Sequence, residues 1–199
     1  LNPTLSRVQD RLQEMLDLIA DLLELARLKQ TKEQIMAEAS HQHVAEILQK
    51  VCDLFREQAH AKKQSLQVEI LSEPVILADR DHLKQIWTNL ISNAIKYTPE
   101  GGQIAVSLEA DEGRLVGTVS DSGMGIAGED VPNLFQDFFR TDQAKASGEI
   151  GTGLGLSIVK QIVESYGGEI KVTSNLGVGT CFAFVLPLEP HSAYLQDQA

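Results

Sequence analysis

The first hundred residues of the chain contain no glycine. All 15 glycines lie between Gly101 and Gly179. Glycine supplies the left-handed turns and close backbone approaches of a fold. The front half is therefore predicted to be mainly helical, and the turns and tight backbone approaches are expected after residue 100.

Basic residues are also few. The 17 lysines and arginines stand against 28 aspartates and glutamates, which gives a formal net charge of -11. Nucleic-acid binding needs clustered Lys and Arg to contact phosphates, so no nucleic-acid partner is expected. An anionic small ligand would need local help from a metal ion, a few basic side chains or a helix N-terminus.

Cysteines and long apolar runs are scarce as well. Cys52 and Cys181 are the two cysteines; they have no Cys-x-x-Cys or Cys/His spacing and are predicted to be buried small residues in a reducing compartment. No signal-peptide pattern is present, and no apolar run approaches the roughly 18 residues of a membrane span. The chain is expected to be cytoplasmic, although the full protein could be anchored in a membrane through upstream sequence.

Residues 85–99 predict a helix with one polar and one apolar face. The polar positions are Gln85, Asn89, Asn93, Lys96 and Tyr97. The opposite positions, an ordinary core stripe, are Ile86, Leu90, Ile91 and Ala94. Amide oxygens beside a lysine suit a hydrated magnesium ion with a polyphosphate, because Mg2+ takes oxygen ligands and keeps several waters. A plain solvent-facing polar surface is the alternative.

Two glycine clusters follow this helix. They are Asp121-Ser-Gly123-Met-Gly125-Ile126, straight after a predicted strand, and Gly151-Thr-Gly153-Leu-Gly155-Leu156, at the start of a predicted helix. Asp121 is a candidate buried carboxylate that accepts from an amine such as the exocyclic group of adenine, and the glycines beside it let a ring approach the backbone. The second cluster places unpaired amides at a helix N-terminus, which favours phosphate. Taken singly, each cluster is more often a turn.

Two common nucleotide motifs are excluded. Residues 123–128 match G-x-G-x-x-G, but Pro132 follows closely and no second strand ending in an acid lies ~20 residues further on, so a dinucleotide-binding fold is rejected. No glycine is followed by lysine, which excludes a P-loop.

Hydrophobic periodicity predicts helices interleaved with hairpins. Asn2, as N-cap, and Pro3 are expected to start a long helix whose wide apolar stripe continues to Ala26 and indicates a partner helix in a four-helix bundle. The further predictions are helices over residues 44–62, 80–99 (capped by Asp79 and ended by Glu100-Gly101-Gly102) and 153–166, and strands over 66–70, 75–77, 104–108, 115–119, 170–173 and 180–186. The fold class is therefore predicted to be α+β, an α/β sandwich of a mixed sheet with helices on one face.

Four ordered motifs resemble the N, G1, F and G2 boxes of sensor histidine kinases. They are Asn89-Leu-Ile-Ser-Asn93-Ala-Ile-Lys96-Tyr97, Asp121-Ser-Gly-Met-Gly125, Phe135-Gln-Asp-Phe138-Phe139-Arg140 and Gly151-Thr-Gly-Leu-Gly155-Leu156. The resemblance runs from about Leu5 to Leu188, and the order of four boxes makes it specific. It implies the ATP-binding α/β sandwich shared with gyrase, a heat-shock ATPase and mismatch-repair ATPases, with ATP and Mg2+ as cofactors.

The resemblance also implies a role for each matching residue. Asn93 would ligate magnesium, with Asn89 beside it. Lys96 would contact phosphate and Arg140 the γ-phosphate, so the candidate catalytic residues are Asn89, Lys96 and Arg140. Asp121 would hydrogen-bond adenine with the support of Thr180. The other candidate cofactor-binding residues are Tyr97, Gly123, Gly125, Ile126, Gly151, Gly153, Leu154, Gly155 and Leu156.

Residues 141–150 would form a mobile lid hinged at the second glycine cluster. For Phe138 and Phe139, plain core packing is the alternative to a role in the site.

The residue type at position 89 distinguishes a kinase from an ATP hydrolase in this superfamily. Members of the superfamily that activate water carry a carboxylate at this position, and an asparagine cannot take a proton from water. We therefore expect slow hydrolysis and transfer of the γ-phosphate to a histidine. Two alternatives stay open: a serine kinase of the anti-sigma type, against which the long first helix argues, and a non-catalytic nucleotide-binding or dimerisation module, against which the intact boxes argue.

None of the five histidines is followed by the acidic residue that marks the phosphoacceptor in this family. The first helix resembles the second helix of the dimerisation and phosphotransfer hairpin, so the acceptor is expected outside this chain, on another helix of the same protein. The expected partners are that helix, a second copy bound through the first helix, and a response regulator receiver domain. The predicted domains are residues 1–32, part of the dimerisation hairpin; 33–42, a connector; 43–188, the ATP-binding catalytic domain; and 189–199, a flexible tail.

Overall fold

Five strands form the central sheet of the computed structural model, which describes residues 3–28 and 39–188. The helices are α1 (Pro3–Leu28), α2 (Val44–Ala61), α3 (Arg80–Tyr97), α4 (Asp142–Ala146) and α5 (Gly155–Ser165). The strands are β1 (Ser40–His43), β2 (Ser65–Ile70), β3 (Val75–Ala78), β4 (Gln103–Asp111), β5 (Arg114–Asp121), β6 (Glu169–Asn175) and β7 (Gly179–Pro187), and one 3-10 turn covers Val131–Asn133.

The sheet is mixed. Its strand order is β2-β4-β5-β7-β6. Only the β2–β4 pair within this order is parallel, and the β4–β5, β5–β7 and β6–β7 pairs are antiparallel. The predicted α+β sandwich with a mixed sheet is confirmed, and so are both predicted hairpins.

The predicted connector over residues 33–42 is wrong at residues 40–42. The sequence predicts a polar connector there, whereas the structure has strand β1, which pairs antiparallel with β3 in a separate two-stranded ribbon. Three of its four side chains are exposed, so the strand is held by backbone hydrogen bonds and shows none of the apolar alternation by which a half-buried strand is recognised. Residues 33–38 of the predicted connector lie outside the described residues.

The core lies between the sheet and the helices α2, α3 and α5. Alternate residues of β4, β5 and β7 are buried, as expected for strands with one covered face. Trp87 of α3 meets Phe184 of β7 edge to face, with 4.9 Å between ring centroids. Gly117 of β5 lies beneath both rings, and a Cβ there would clash with each of them. Helix α3 is therefore fixed against the middle of the sheet.

Helix α3 also starts where the sequence predicts. The Asp79 side chain accepts hydrogen bonds from the amides of Asp81 and His82, which satisfies two of the orphan donors of the first turn. The predicted core stripe, Ile86, Leu90, Ile91 and Ala94, is buried.

Helix α1 contacts the rest of the fold along one side and exposes the other. Leu25 is buried, and Leu18 and Leu28 pack on the core. The exposed side carries Leu12, Met15, Leu16, Ile19, Leu22 and Leu23, whose side chains are 44–60% exposed. The predicted long helix is confirmed, and part of its apolar stripe is covered within the chain. Asn2, the predicted N-cap, and the predicted tail lie outside the described residues. Within residues 3–28 and 39–188, no helix combines the length and apolar character of a membrane span.

Candidate functional site

A cavity of about 700 Å3 opens between α3, the end of β5, the residues after β5 and the start of α5. It brings together most of the predicted site residues, although the four boxes are far apart in the chain. Those that line it are Asn89, Asn93, Lys96, Tyr97, Asp121, Gly125, Ile126, Arg140, Gly151, Gly153, Gly155, Leu156 and Thr180. Gly123 and Leu154 do not line it, and Leu154 is fully buried.

The polar face of α3 forms one wall. Asn89, Asn93, Lys96 and Tyr97 are half-buried there, so this face is not a plain solvent-facing surface. Gln85, one turn before Asn89, does not line the cavity. Thr88 and Ser92 do, and sequence reasoning missed them because it followed only the amide and lysine positions.

Asp121 lies at one end of the cavity and is held by the backbone. The amides of Gly123 and Thr180 donate to its carboxylate, the first at 2.8 Å. Burial raises the pKa of Asp121, and the two hydrogen bonds counter part of that rise. A fixed, half-desolvated carboxylate is suited to accept from an amino group of a ligand.

The residues after Asp121 require glycine. Gly125 has φ +66°, and a Cβ there would clash with the backbone oxygen of Asn175. Ile126 donates from its amide to Ser174 Oγ at 2.9 Å, and Ser174 Oγ lies 2.9 Å from Thr180 Oγ1. The Thr180 hydroxyl contacts Ser174 and not Asp121, so the support of Asp121 by Thr180 stays a prediction.

The second glycine cluster lies against α3 at the other end. Helix α5 begins at Gly155, and a Cβ on Gly155 would lie 2.8 Å from Asn89 Oδ1. The first amides of a helix have no intrahelical partner and attract anions. The contact therefore places this N-terminus beside the amides of α3, an arrangement suited to phosphate.

Arg140 is folded onto the predicted lid. Its Nη2 donates to the carbonyl oxygens of Ala144 at 2.9 Å and Glu149 at 2.6 Å, and its buried Nε has no hydrogen-bond partner among the described residues. Residues 141–150 include the short α4, where Thr141 caps the helix by accepting from the Ala144 amide. The mobility of this segment stays a prediction.

The phenylalanines of the third box have different environments. Phe138 is 59% exposed and has φ +63°, and its backbone lies where a Cβ on Gly153 would clash, so core packing of the side chain does not explain it. Phe139 is half-buried at the cavity wall, and Phe135 packs on the core.

Helix α1 reaches the cavity, which the sequence does not predict. Arg11, Leu18, Ala20 and Asp21 are among the lining residues. Thr152, in the second cluster, donates from Oγ1 to Asp21 Oδ2 at 2.6 Å. No local motif signals this contact, because it exists only when two segments some 130 residues apart are packed together.

The described histidines and cysteines form no metal-binding cluster. Among the described residues, no group of three or more His, Cys, Asp or Glu side chains could hold an ion. His82 Nδ1 lies 2.8 Å from Tyr166 Oη, away from the cavity lining. Cys52 is buried, which raises the pKa of its thiol to about 11, whereas Cys181 is half-buried rather than buried as expected.

Binding of magnesium would therefore depend on the amide side chains of α3 that line the cavity. The side-chain amides of Asn89 and Asn93 supply neutral oxygens, and the phosphates of a ligand would supply the others, which suits an ion that keeps several waters.

Comparisons with known proteins agree with this geometry. Residues 78–190 match the family model described as histidine kinase-, DNA gyrase B-, and HSP90-like ATPase. The sensor protein SrrB of Staphylococcus aureus is 35% identical over 187 residues, which are 94% of this chain and 32% of SrrB. The chain thus spans about a third of the length of the curated relatives it matches.

Solved structures give the same result. Full-length ShkA in complex with AMPPNP is similar with a TM-score of 0.78 and 31% identity, over 92% of this chain and 37% of that one. The histidine kinase ThkA in complex with the response regulator protein TrrA has a TM-score of 0.74 and 26% identity, over 96% of this chain and 52% of that one. The chain belongs to the histidine kinase-, DNA gyrase B- and HSP90-like ATPase family, and its nucleotide domain is the ATP-binding domain of a sensor histidine kinase.

Proposed function

We propose that the chain is the catalytic part of a two-component histidine kinase, which transfers the γ-phosphate of ATP to a histidine outside this chain. The observation that carries this proposal is the neutral amide of Asn89 in contact with the start of α5, at the end of the cavity suited to phosphate. An amide can orient a bound phosphate or water but cannot remove a proton from water. Hydrolysis is then slow, and the phosphate is kept for another acceptor.

Each end of the cavity has its own task in this proposal. Asp121 accepts from the adenine amino group, and Tyr97 packs on the nucleotide. Asn93 ligates Mg2+, which supplies positive charge to the phosphates. Lys96 contacts phosphate as a point charge. Arg140 exchanges the lid carbonyls of Ala144 and Glu149 for the γ-phosphate.

Phosphorylation of the full-length gene product with γ-labelled ATP tests the reaction. We expect a protein-bound phosphate that is lost in acid and kept in base, as for phosphohistidine, with little free phosphate released. An acid-stable phosphoserine would favour the serine kinase of the anti-sigma type, and the absence of any protein-bound label would favour a non-catalytic module. The similarity to the sensor protein SrrB and to ShkA favours neither alternative.

An Asn89→Glu variant tests the role of the amide. We expect free phosphate release from ATP to rise about 10-fold or more, because general-base assistance contributes 10²–10⁴ where it is well placed. Gln85→Glu is the matched control, since Gln85 lies one turn earlier and does not line the cavity. An unchanged turnover in Asn89→Glu would contradict the assignment.

The magnesium requirement is expected to be strong. Few basic side chains line the cavity of this acidic chain, so the triphosphate needs a cation to offset its charge. ATP binding measured by calorimetry should weaken at least about 10-fold in EDTA, the effect of ~1.4 kcal/mol. Equal affinity with and without Mg2+ would exclude the proposed role of Asn93.

The proposed macromolecular partners are a second copy of the chain and a response regulator receiver domain. The exposed apolar side of α1 supports the first, since such a surface is typical of a helix in a bundle. The ThkA–TrrA complex supports the second. Sedimentation of the chain as a strict monomer at high micromolar concentration would count against dimerisation through α1.

A further inference from the structure

The turn between α2 and β2 lies against the C-terminal end of α3. Lys62 Nζ donates to the carbonyl oxygens of Ile95 at 3.2 Å and Lys96 at 3.4 Å. Gln64 Nε2 donates to the carbonyl oxygens of Ile95 at 3.1 Å and Thr98 at 2.6 Å. The last carbonyls of a helix lack intrahelical partners, so this turn supplies donors to the end of α3 that carries Lys96 and Tyr97.

The same ammonium group of Lys62 also reaches the lid. Its Nζ lies 2.8 Å from Glu149 Oε1. The backbone carbonyl of Glu149 accepts from Arg140 Nη2 at 2.6 Å. Glu149 is thus held twice, by Lys62 through its side chain and by Arg140 through its backbone, two residues before Gly151 of the second cluster.

The Lys62–Glu149 ion pair is more buried than the neighbouring Lys63–Glu100 pair. The side chains of Lys62 and Glu149 are 38% and 32% exposed, whereas those of Lys63 and Glu100 are 77% and 66% exposed. Fully exposed pairs contribute little to stability because water and salt screen them. The Lys62 ammonium has three acceptors, two at the end of α3 and one in the lid. It therefore links these two segments.

We propose that Lys62 is a positioning residue that ties the end of the lid to the C-terminal end of α3 and so prolongs the residence of bound ATP. The proposal rests on the proposed function, in which Arg140 leaves the Glu149 carbonyl to meet the γ-phosphate. At that point the bond to Lys62 still holds Glu149 in place. Lys62 does not line the cavity, and it acts through the lid and not on the nucleotide.

Nucleotide release tests the proposal. The dissociation rate of a fluorescent ATP analogue from the Mg2+-loaded chain is measured by stopped flow for the parent, Lys62→Met and Glu149→Gln. We expect both variants to release the analogue about 3- to 10-fold faster, the effect of up to ~1.4 kcal/mol. The double variant should be no faster than the faster single variant, because both substitutions break one interaction. Lys62→Arg should restore a slow rate.

Lys63→Met is the matched control. It removes the neighbouring lysine, whose partner Glu100 is outside the lid, and its release rate should equal that of the parent. Hydrogen exchange of residues 148–152 without nucleotide should speed up in Lys62→Met and not in Lys63→Met.

Other outcomes overturn the proposal. If Lys62→Met only lowers the melting temperature while Glu149→Gln releases the analogue at the parent rate, Lys62 is merely a cap for α3. Equal acceleration by Lys63→Met would show a general loss of charge. A parent chain that binds no nucleotide would overturn the proposed function and this proposal together, whereas a parent that binds and variants that release at its rate overturn this proposal alone.

Discussion

The two ends of the cavity are built from different kinds of contact. At the Asp121 end, backbone amides of Gly123 and Thr180 hold the carboxylate, and Gly125 is pressed against the backbone of Asn175. At the end near the second cluster, side chains make the contacts: Arg140 bonds the lid carbonyls, and Thr152 bonds Asp21.

This difference suggests that the Asp121 end recognises the ligand without moving, whereas the other end moves. Backbone that is hydrogen-bonded across the β5–β7 pair and closed by glycines has no alternative arrangement at low cost. A side-chain hydrogen bond contributes only about 0.5–1.5 kcal/mol net and can be exchanged for a contact to ligand. We infer that the adenine end is preformed and that the phosphate end rearranges when ATP binds.

Glycine replacement gives the largest expected contrast. Gly125→Ala places a Cβ against the Asn175 backbone at φ +66°, and we expect it to destabilise the fold by about 3 kcal/mol or more, from left-handed strain plus overpacking. At Gly151 the nearest atom to a new Cβ is Arg140 Nε at 3.9 Å, so Gly151→Ala should change stability by less than about 0.5 kcal/mol. Urea unfolding of both variants measures the contrast, and equal destabilisation would mean that the two clusters are equally rigid.

Asp121→Asn separates binding from stability at the adenine end. A charged acceptor contributes about 1.5–3 kcal/mol to a hydrogen bond, so ATP affinity measured by calorimetry should fall roughly 10- to 100-fold. Asp111→Asn, at the far end of the same hairpin, is the control and should bind as the parent does.

The difference in stability between the parent and Asp121→Asn depends on pH with a definite sign. Burial raises the folded-state pKa of Asp121 above its unfolded value, so the folded state binds more protons in the window between the two. The stability of the parent therefore falls as pH rises through that window, and the penalty is complete above the folded-state pKa. Asp121→Asn should be at least as stable as the parent at pH 7, and any advantage should vanish below about pH 4. A variant that is less stable than the parent at pH 7 would show that the carboxylate holds the fold together.

The same contrast explains how much could be predicted from sequence. Strand alternation, the Asp79 cap and the glycine clusters are local signals, and they predicted the sheet, α3 and the turns around Asp121. The placement of Arg140 on the lid and of Asp21 on Thr152 depends on side chains meeting across distant segments, and no local pattern encodes it. Strand β1 was missed for a related reason, since its backbone bonds lie on β3 and its exposed side chains carry no apolar period.

The smallest expected effect concerns Asp21 at the phosphate end. Its carboxylate lines the same cavity as Lys96 and Arg140 and lies 2.6 Å from Thr152 Oγ1. A negative charge there repels a bound triphosphate, while an asparagine keeps an acceptor for Thr152. We expect Asp21→Asn to bind ATP with Mg2+ about 2- to 5-fold more tightly, since charges in a wet cleft interact by ~1 kcal/mol or less.

The salt dependence and a second variant on α1 decide whether the tighter ATP binding of Asp21→Asn comes from the lost charge or from weaker packing of α1 on the domain. The gain from Asp21→Asn should shrink in 1 M salt, where the Debye length is about 3 Å. Glu24→Gln, one turn further along α1, weakens the contact to His82 without removing a charge from the cavity lining. If charge is the cause, calorimetry will show parent affinity for Glu24→Gln. If Glu24→Gln binds ATP as tightly as Asp21→Asn, release of α1 from the domain controls the affinity. The contacts of α1 would then belong, with those of Arg140, to the side-chain contacts that change when ATP binds.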